Sequence, residues 1–274
     1  MKRPAALRTP AVSGKPAPAK AGRKIVRRQV PAVTRAVAIL RALGRSREPL
    51  GVNAIANQLD LIPSTCLHIL RVLVTEELVA FDPENKKYTL GAGILTMARA
   101  LLRQDSFVDL ARDNLETLST RFGVTAACVE ASGLDHMVVV AIARPAQAVR
   151  LHVDVGSRFP ALISATGRCI AAFGAYDAAE IERRFRVLRW DRAPDWRSWR
   201  KQVAQTRERG YAVDEGQYIE GVTIIAVPVF AADHPSQFLV AIGLSEQLRR
   251  AGHEVIGQKL CDMAASLGVR LRRP

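Results

Sequence analysis

The 274-residue sequence has no long apolar run and only four cysteines, which are scattered at positions 66, 128, 169 and 261. A membrane-spanning helix needs about 18 consecutive apolar residues, so the chain is predicted to have no transmembrane segment and no membrane partner. No two cysteines form a CxxC pair, and no Cys/His cluster has the spacing of zinc ligands. We therefore expect reduced, mostly buried thiols in a cytoplasmic protein that holds no metal.

The sequence motifs of common enzymes are also missing. The chain contains no GxSxG, no HExxH and no phosphate-binding loop. His136, His152, Asp154 and Cys169 fall in the C-terminal half, but a Cys–His nucleophile pair needs a proximity in space that sequence does not establish. Cys169 lies in an apolar helical stretch, where a buried and unreactive thiol is the simpler interpretation. We expect no catalytic residue and no cofactor, and keep an enzyme as the less favoured alternative.

Positive charge is concentrated at the N-terminus. The net charge is +14, and residues 1–30 carry nine Lys and Arg residues and no acidic residue. Frequent prolines and few large apolar residues prevent this stretch from forming an amphipathic helix or a core. We interpret residues 1–30 as a disordered basic tail, which is either a solvated segment without a role or a source of loose, salt-dependent phosphate contacts. The charge alone therefore does not predict that the rest of the chain binds nucleic acid.

The elements predicted for residues 31–91 are a helix, a short helix, a tight turn, a helix and a hairpin. Pro63 and Ser64 are typical of a helix start, and only a few residues separate this helix from the short one before it. This is the arrangement of a helix-turn-helix. The strand-like ends of FDPENKKYTLG flank a turn at residues 82–85, which predicts a hairpin. Residues 31–91 are therefore predicted to form a winged helix-turn-helix domain that binds DNA.

The third predicted helix has a polar face without acidic residues. Its apolar residues gather on one side of a helical wheel, at Cys66, Ile69, Leu70, Leu73 and Val74. Ser64, His68 and Arg71 lie opposite, with Thr65 at the flank. Hydroxyls at a helix N-terminus reach bases or phosphates in recognition helices, and Arg and His side chains can read base edges. The face as a whole predicts DNA contact.

Each of these residues also has a purely structural interpretation. Ser64 can be only the N-cap of its helix, and His68 only a surface residue. Lys86 and Lys87, in the hairpin, are either ordinary turn residues or contacts to the phosphates and the minor groove. Their position in a wing favours the second interpretation.

The C-terminal part mixes helices and strands. Residues 92–106 are helical in pattern and are predicted to be a linker helix, and residues 107–274 to form a second domain. Strand-like stretches include residues 149–153, and a last helix is predicted from about residue 253 to 270. Because strands and helices follow no regular βαβ order, the fold class is α+β.

The sequence resembles the IclR family of bacterial transcription regulators over about residues 31–270. The resemblance depends on the segments TRAVAILRAL, PSTCLHILRVL and YTLG in the first domain, and on VGSRFPALISATGRCIAAF and GYAVDEGQYIEGVTIIAVPVF in the second. It implies a winged helix-turn-helix joined by a linker helix to a GAF-like effector-binding domain. It also implies a cytoplasmic homodimer or homotetramer, a repressor or activator of a catabolic operon, which binds operator DNA and a small effector. Family members usually carry Arg where His68 stands, which leaves the operator sequence in question.

The resemblance further implies an effector site, which would take an organic or aromatic carboxylate. It maps onto Ala165, Thr166, Gly167, Asp214, Val222, Ile224, Gly243 and Ser245. Small residues at a helix start present backbone N–H groups to an anion. Members that bind short oxo acids have Cys and Ser in place of Ile224 and Gly243, so we expect a bulkier, more apolar ligand.

Other interpretations of the second domain and of the whole chain stay open. Gly167 and Gly243 can serve tight packing, Asp214 can be a turn residue, and Ile224 can belong to a strand core. A non-specific architectural DNA-binding protein, which binds through residues 1–30, is the alternative to a sequence-specific regulator.

Overall fold

The computed structural model describes residues 30–104, 106–145 and 153–272. The predicted basic tail therefore lies outside the described residues, except for Val30. The chain divides into two compact units whose boundary falls between Met97 and Ala98. Each unit has its own hydrophobic core.

The N-terminal unit is a winged helix-turn-helix. Its elements are α1 (Pro31–Arg45), β1 (Leu50–Gly51), α2 (Val52–Gln58), α3 (Pro63–Thr75), β2 (Val79–Asp82) and β3 (Lys87–Leu90). The strands form an antiparallel sheet in the order β1-β3-β2. The core beneath it combines residues from the three helices and the sheet: Ile39, Leu43, Ile55, Ala56, Cys66, Leu70, Leu73, Val79 and Tyr88.

The turn between α2 and α3 is short and tightly bonded. The Leu61 N–H donates to the Ala56 carbonyl at 2.8 Å, and Asp60 adopts a left-handed φ of 52°. Aspartate tolerates this conformation better than most residues. Pro63 then starts α3, because its fixed φ suits the first helical position and its missing N–H is not needed there.

The C-terminal unit is an α+β domain with a six-stranded antiparallel sheet in the order β6-β5-β4-β9-β8-β7. Its strands are β4 (Thr125–Ser132), β5 (His136–Ala143), β6 (Arg158–Pro160), β7 (Ala212–Glu215), β8 (Val222–Val229) and β9 (Gln237–Leu244). Its helices are α5 (Ser106–Phe122), α6 (Ser164–Phe173), α7 (Ala178–Phe185), α8 (Trp196–Arg209), α9 (Ser245–Ala251) and α10 (His253–Leu271). Helix α4 (Gly93–Gln104) contains the boundary between the units and lies within the stretch predicted as a linker helix.

Strands β4, β9 and β8 of the sheet are buried on both faces over most of their length. In β4, Ala127 and Val129 pack with α6, α7 and α8, whereas Ala126 and Cys128 pack with α5 and α10. All eight residues of β8 are buried, since this strand lies between both helical layers. Alternate residues of one strand therefore belong to two different cores.

Several elements differ from the sequence expectations. Strands β6 and β7 and helix α9 were not expected, because each is at most seven residues long and has little periodicity. Residues 149–152 of the predicted strand 149–153 lie outside the described residues, and Val153 is not in a strand. Within the described ranges, none of the helices combines the length and apolar character needed to cross a bilayer.

Candidate nucleic-acid interface and ligand cavity

Helix α3 exposes the polar face that the sequence predicts. Ser64, His68 and Arg71 are exposed and Thr65 is half-buried. Cys66, Leu70 and Leu73 anchor the opposite face in the core, each less than a tenth exposed. No acidic residue lies in the first turn of the helix. The face is therefore free to meet an anionic partner such as DNA.

The N-cap of α3 is Ile62, which makes no side-chain capping bond. Ser64 is the second residue of the helix and its hydroxyl does not cap it, so the interpretation of Ser64 as only an N-cap is wrong. The proline at the first helical position explains this placement, because it moves the helix start one residue upstream of the serine.

The wing presents two lysines at a bonded turn. Lys86 and Lys87 are exposed, and Lys86 adopts a left-handed φ of 52°. Asp82 holds the turn, since its Oδ1 accepts the Glu84 N–H at 2.9 Å and its Oδ2 accepts the Asn85 side-chain amide at 2.6 Å. The bond from the Asn85 side chain, followed by the backbone N–H bonds, lowers the pKa of Asp82. The turn is thus fixed while both ammonium groups stay in solvent.

A cavity of about 260 Å³ lies in the C-terminal unit, between the sheet and the start of α6. Its apolar lining comes from five strands and two loops: Ala127, Val129, Met137, Val139, Val153, Phe159, Ile219, Val222, Ile224, Val240 and Ile242. Its polar lining comes from Ser164, Thr166 and Tyr218. Among the described residues, no charged side chain lines it.

Two of the three hydroxyl groups in the described cavity lining lie where α6 begins. Ser164 and Thr166 are each 3% exposed, and Ser164 adopts a left-handed φ of 61°, unusual for a serine. The Ser164 Oγ accepts the Ala165 N–H at 2.6 Å. A strained backbone conformation persists only where the surrounding fold holds it in place, and such residues cluster at ligand sites. Ser164, which is buried and lines the cavity, fits this pattern. The α6 N-terminus adds a partial positive charge there.

Three of the eight predicted effector residues line this cavity: Thr166, Val222 and Ile224. Ser245 accepts a hydrogen bond from the Thr223 hydroxyl at 2.9 Å on the other face of the sheet, and Ala165 is buried in the core beside the cavity.

The two glycines among the predicted effector residues are closely packed. A Cβ on Gly167 would meet the Leu162 backbone at 2.1 Å, and one on Gly243 would meet the Leu248 side chain at 2.3 Å. Both glycines therefore allow close packing, which is the structural interpretation given above, and neither lines the cavity.

Asp214 does not line the cavity and forms an ion pair with Arg168. The Arg168 Nη1 donates to the Asp214 Oδ2 at 3.1 Å, and the two side chains are 0% and 1% exposed. Arg168 also donates to the side-chain carbonyls of Gln202, at 2.8 Å, and of Gln217. Burial lowers the pKa of Arg168, and the Asp214 carboxylate opposes this shift. This pair could not be predicted from the sequence, because Arg168 and Asp214 are distant in the chain and no motif links them.

Cys169, one of the residues considered for catalysis, is not placed as a nucleophile. Cys169 is fully buried, its thiol donates to the Ala226 carbonyl at 3.2 Å, and burial raises its pKa. A nucleophilic cysteine needs the opposite shift. His152 lies outside the described residues. Within the described part of the chain, no group of three or more His, Cys, Asp or Glu residues is placed to hold a metal ion.

Comparison with known proteins matches both units to one family. Residues 100–267 match the model described as bacterial transcriptional regulator IclR C-terminal, and residues 32–83 match the IclR helix-turn-helix domain. The chain is 30% identical over 241 residues to the glycerol operon regulatory protein of Streptomyces coelicolor, covering 83% of this chain and 89% of that protein. It is 24% identical over 253 residues to the transcriptional repressor AllR of Escherichia coli, covering 87% and 91%.

Solved structures agree with this assignment. An IclR transcriptional regulator from Alicyclobacillus acidocaldarius, at 27% identity, matches with a TM-score of 0.78 over 89% of this chain and 99% of that one. An IclR homologue from Microbacterium hydrocarbonoxydans, in complex with 4-hydroxybenzoate, has the same fold at 19% identity and a TM-score of 0.73, over 89% and 100%. The matched domains and relatives are regulators, not enzymes. The chain belongs to the IclR family of transcription regulators.

Proposed function

We propose that this chain is a ligand-responsive, sequence-specific DNA-binding regulator of a catabolic operon. Operator DNA is bound by Ser64, Thr65, His68 and Arg71 of α3, with Lys86 and Lys87 of the wing on the phosphates. The exposed, acid-free face of α3 and its firmly packed apolar face support this assignment. Arginine can form paired hydrogen bonds with guanine, so Arg71 carries the largest share of sequence discrimination.

The effector is a small carboxylate with an apolar, typically aromatic, body. The observation that carries this proposal is the cavity of about 260 Å³, which is apolar except for two hydroxyls at the start of α6 and Tyr218. An apolar cavity of roughly 150 Å³ holds a benzene molecule, and drug-sized ligands occupy about 300 Å³ or more. The cavity therefore suits one ring with one or two substituents. The 4-hydroxybenzoate held by the Microbacterium homologue belongs to this class.

The carboxylate of the effector is placed at the start of α6. Ser164 and Thr166 supply hydroxyl donors there, and the helix N-terminus supplies backbone N–H groups. Asp214 does not repel an anion from this position, because Arg168 pairs with its charge. The apolar body then lies against Met137, Val222 and Ile224 on the sheet.

The active assembly is a homodimer or homotetramer. One helix-turn-helix covers only a half-site, so operator recognition needs at least two copies. Leu95 and Met97 on α4 are 71% and 62% exposed and supply apolar surface for pairing of the linker helices. A ligand changes DNA affinity only when it binds two assembly states unequally, so the effector alters half-site spacing or tetramer formation.

Calorimetry with a panel of acids tests the ligand class. Benzoate, 4-hydroxybenzoate, pyruvate and glyoxylate are titrated into the full-length protein and into Ile224→Ser, which adds a polar group to the cavity. We expect the wild type to bind the ring acids and to bind pyruvate and glyoxylate far more weakly. Ile224→Ser reduces affinity for the ring acids, because it removes apolar contact. A preference of the wild type for pyruvate-sized acids contradicts the proposal.

Selection from random DNA tests the DNA-binding mode. The full chain and a variant without residues 1–30 are each used to select duplexes, with and without benzoate. We expect both proteins to enrich the same paired half-sites, the truncated one at lower affinity. Loss of all binding on truncation, without an enriched sequence for the full chain, identifies an architectural DNA-binding protein instead.

A further inference from the structure

A loop with glycines at both ends forms one wall of the cavity. This loop, Gly216–Gly221, joins β7 to β8, and its Tyr218 and Ile219 side chains line the cavity. Gly216 and Gly221 adopt left-handed φ values of 71° and 77°. Other residues rarely adopt this conformation, so the path of the loop depends on its glycines. The position of the loop therefore sets the shape of this wall of the ligand site. It also places the Tyr218 hydroxyl, the only aromatic hydroxyl in the described cavity lining.

The Arg168–Asp214 pair holds the loop from the protein interior. The Asp214 Oδ1 accepts the backbone N–H groups of Gln217 at 2.8 Å and of Tyr218 at 3.2 Å, while its other oxygen pairs with Arg168. Arg168 in turn donates to the Gln217 side chain. None of these bonds faces the cavity, and neither Arg168 nor Asp214 lines it. Through these bonds the pair holds the loop that lines the ligand site.

The segment Trp190–Arg192 holds the loop from its outer side. The Asp191 N–H donates to the Tyr218 carbonyl at 3.3 Å, and the Arg192 N–H donates to the Gln217 carbonyl at 3.0 Å. The Asp191 Oδ2 accepts the Glu220 N–H at 2.9 Å. Trp190 lies over the Arg168 guanidinium, with 5.8 Å from the Cζ to the ring centroid. The loop is thus clamped between the buried ion pair and this segment.

We propose that Arg168, Asp214 and Asp191 are positioning residues of the effector cavity: they fix the loop, and through it Tyr218, against the ligand without touching the ligand themselves. Asp214 thereby differs from the direct ligand contact that the family resemblance implies. The proposal rests on the proposed function only for the identity of the ligand; the clamping of the loop stands on the bonds alone. Ligand binding that tightens the loop also changes the surroundings of Trp190, because the neighbouring Asp191 donates its N–H to the Tyr218 carbonyl.

Hydrogen–deuterium exchange of the ligand-free, full-length protein tests the clamp. Asp191→Ala removes an exposed acceptor and retains the fold. Asp177→Ala is its matched control, because Asp177 is also exposed and accepts two backbone N–H groups, but at the start of α7. We expect Asp191→Ala to speed exchange in residues 217–220 by about tenfold, the usual effect of losing one hydrogen bond, and Asp177→Ala to leave them unchanged.

Asp214→Asn and Asp214→Leu extend the test to the buried pair. Asparagine keeps one acceptor oxygen and leucine keeps none, so the increase in loop exchange is expected to be smaller for asparagine. The proposal is overturned if residues 217–220 exchange at the wild-type rate in Asp191→Ala and in both folded Asp214 variants. If neither Asp214 variant folds, the result for Asp191→Ala decides.

A fluorescence titration with 4-hydroxybenzoate tests the consequence for the ligand. All three tryptophans of the chain, Trp190, Trp196 and Trp199, pack around Phe185, so the emission reports on this cluster. We expect Asp191→Ala to weaken binding about tenfold relative to wild type and Asp177→Ala to leave it unchanged. If 4-hydroxybenzoate does not bind the wild type, the proposed ligand class fails while the exchange results still decide the clamp. Equal affinities for wild type and Asp191→Ala overturn the positioning role.

Discussion

Helices α3 and α6 both begin at an isoleucine N-cap that makes no side-chain capping bond, and both carry hydroxyls in the first turn and an arginine further along. Their surroundings are opposite. Arg71 of α3 is exposed, whereas Arg168 of α6 is fully buried among Asp214, Gln202 and Gln217. Similar residues therefore serve an external partner in one unit and an internal network in the other. Burial and partners, not residue type, distinguish an interface from a scaffold.

The largest expected effect comes from removing the buried arginine. Arg168→Met leaves the Asp214 carboxylate buried without its counter-charge, so we expect the free energy of unfolding to fall by about 3–5 kcal/mol. Arg71→Ala, on the exposed face, changes it by no more than about 0.5 kcal/mol. Urea unfolding is followed by tryptophan emission for the C-terminal unit and by circular dichroism for the whole chain. Similar losses of unfolding free energy for the two variants would mean that Arg168 is no more important for stability than the exposed Arg71.

The next effect concerns DNA discrimination by α3. Arg71→Ala is expected to reduce the preference for the selected operator over a scrambled duplex by about 1–3 kcal/mol, because the arginine no longer reads a base edge. Arg197→Ala is the charge-matched control, since Arg197 is exposed on α8. Affinities for both duplexes are measured by fluorescence anisotropy at fixed salt. Equal weakening on both duplexes means that Arg71 contacts phosphates only.

The sequence predicted the elements with strong periodicity, but not the contacts between distant segments. Cys66, Leu70 and Leu73 follow helical spacing, so the orientation of α3 could be inferred from local pattern. The partnership of Arg168 with Asp214 depends on how α6 packs against β7, which no local pattern encodes. For Gly243 the sequence left close packing and a role in the effector site both open, because only the fold brings the Leu248 side chain against it. The side chains that complete the cavity, Ser164 and Tyr218, were missed for the same reason.

A smaller effect is expected at the hydroxyl of the cavity. Thr166→Val keeps the shape of the side chain but removes its proposed hydrogen bond to the effector carboxylate. The binding free energy for 4-hydroxybenzoate is therefore expected to weaken by about 1 kcal/mol. Thr206→Val is the control, since Thr206 is equally buried and bonds the Gln202 carbonyl away from the cavity. Calorimetry on the three proteins gives the comparison. An unchanged affinity for Thr166→Val places the carboxylate elsewhere in the cavity.

The smallest effect is expected in the wing. Lys87→Ala removes one phosphate contact, so the slope of log affinity against log salt is expected to become shallower by about 1, with the same loss for every DNA sequence. Lys201→Ala, on the exposed surface of α8, removes the same charge and serves as the control. A sequence-dependent loss for Lys87→Ala, measured on the two duplexes used for Arg71, indicates base contact by the wing instead.

The contrast between the two helices is tested most directly by hydrogen–deuterium exchange of the full-length protein, alone, with the selected operator, and with 4-hydroxybenzoate. We expect the operator to slow exchange in residues 63–75 and 82–87, and the acid to slow it in residues 163–168 and 216–221. Operator DNA that protects neither α3 nor the wing, or an acid that protects no part of α6 and the loop despite binding, would contradict the account.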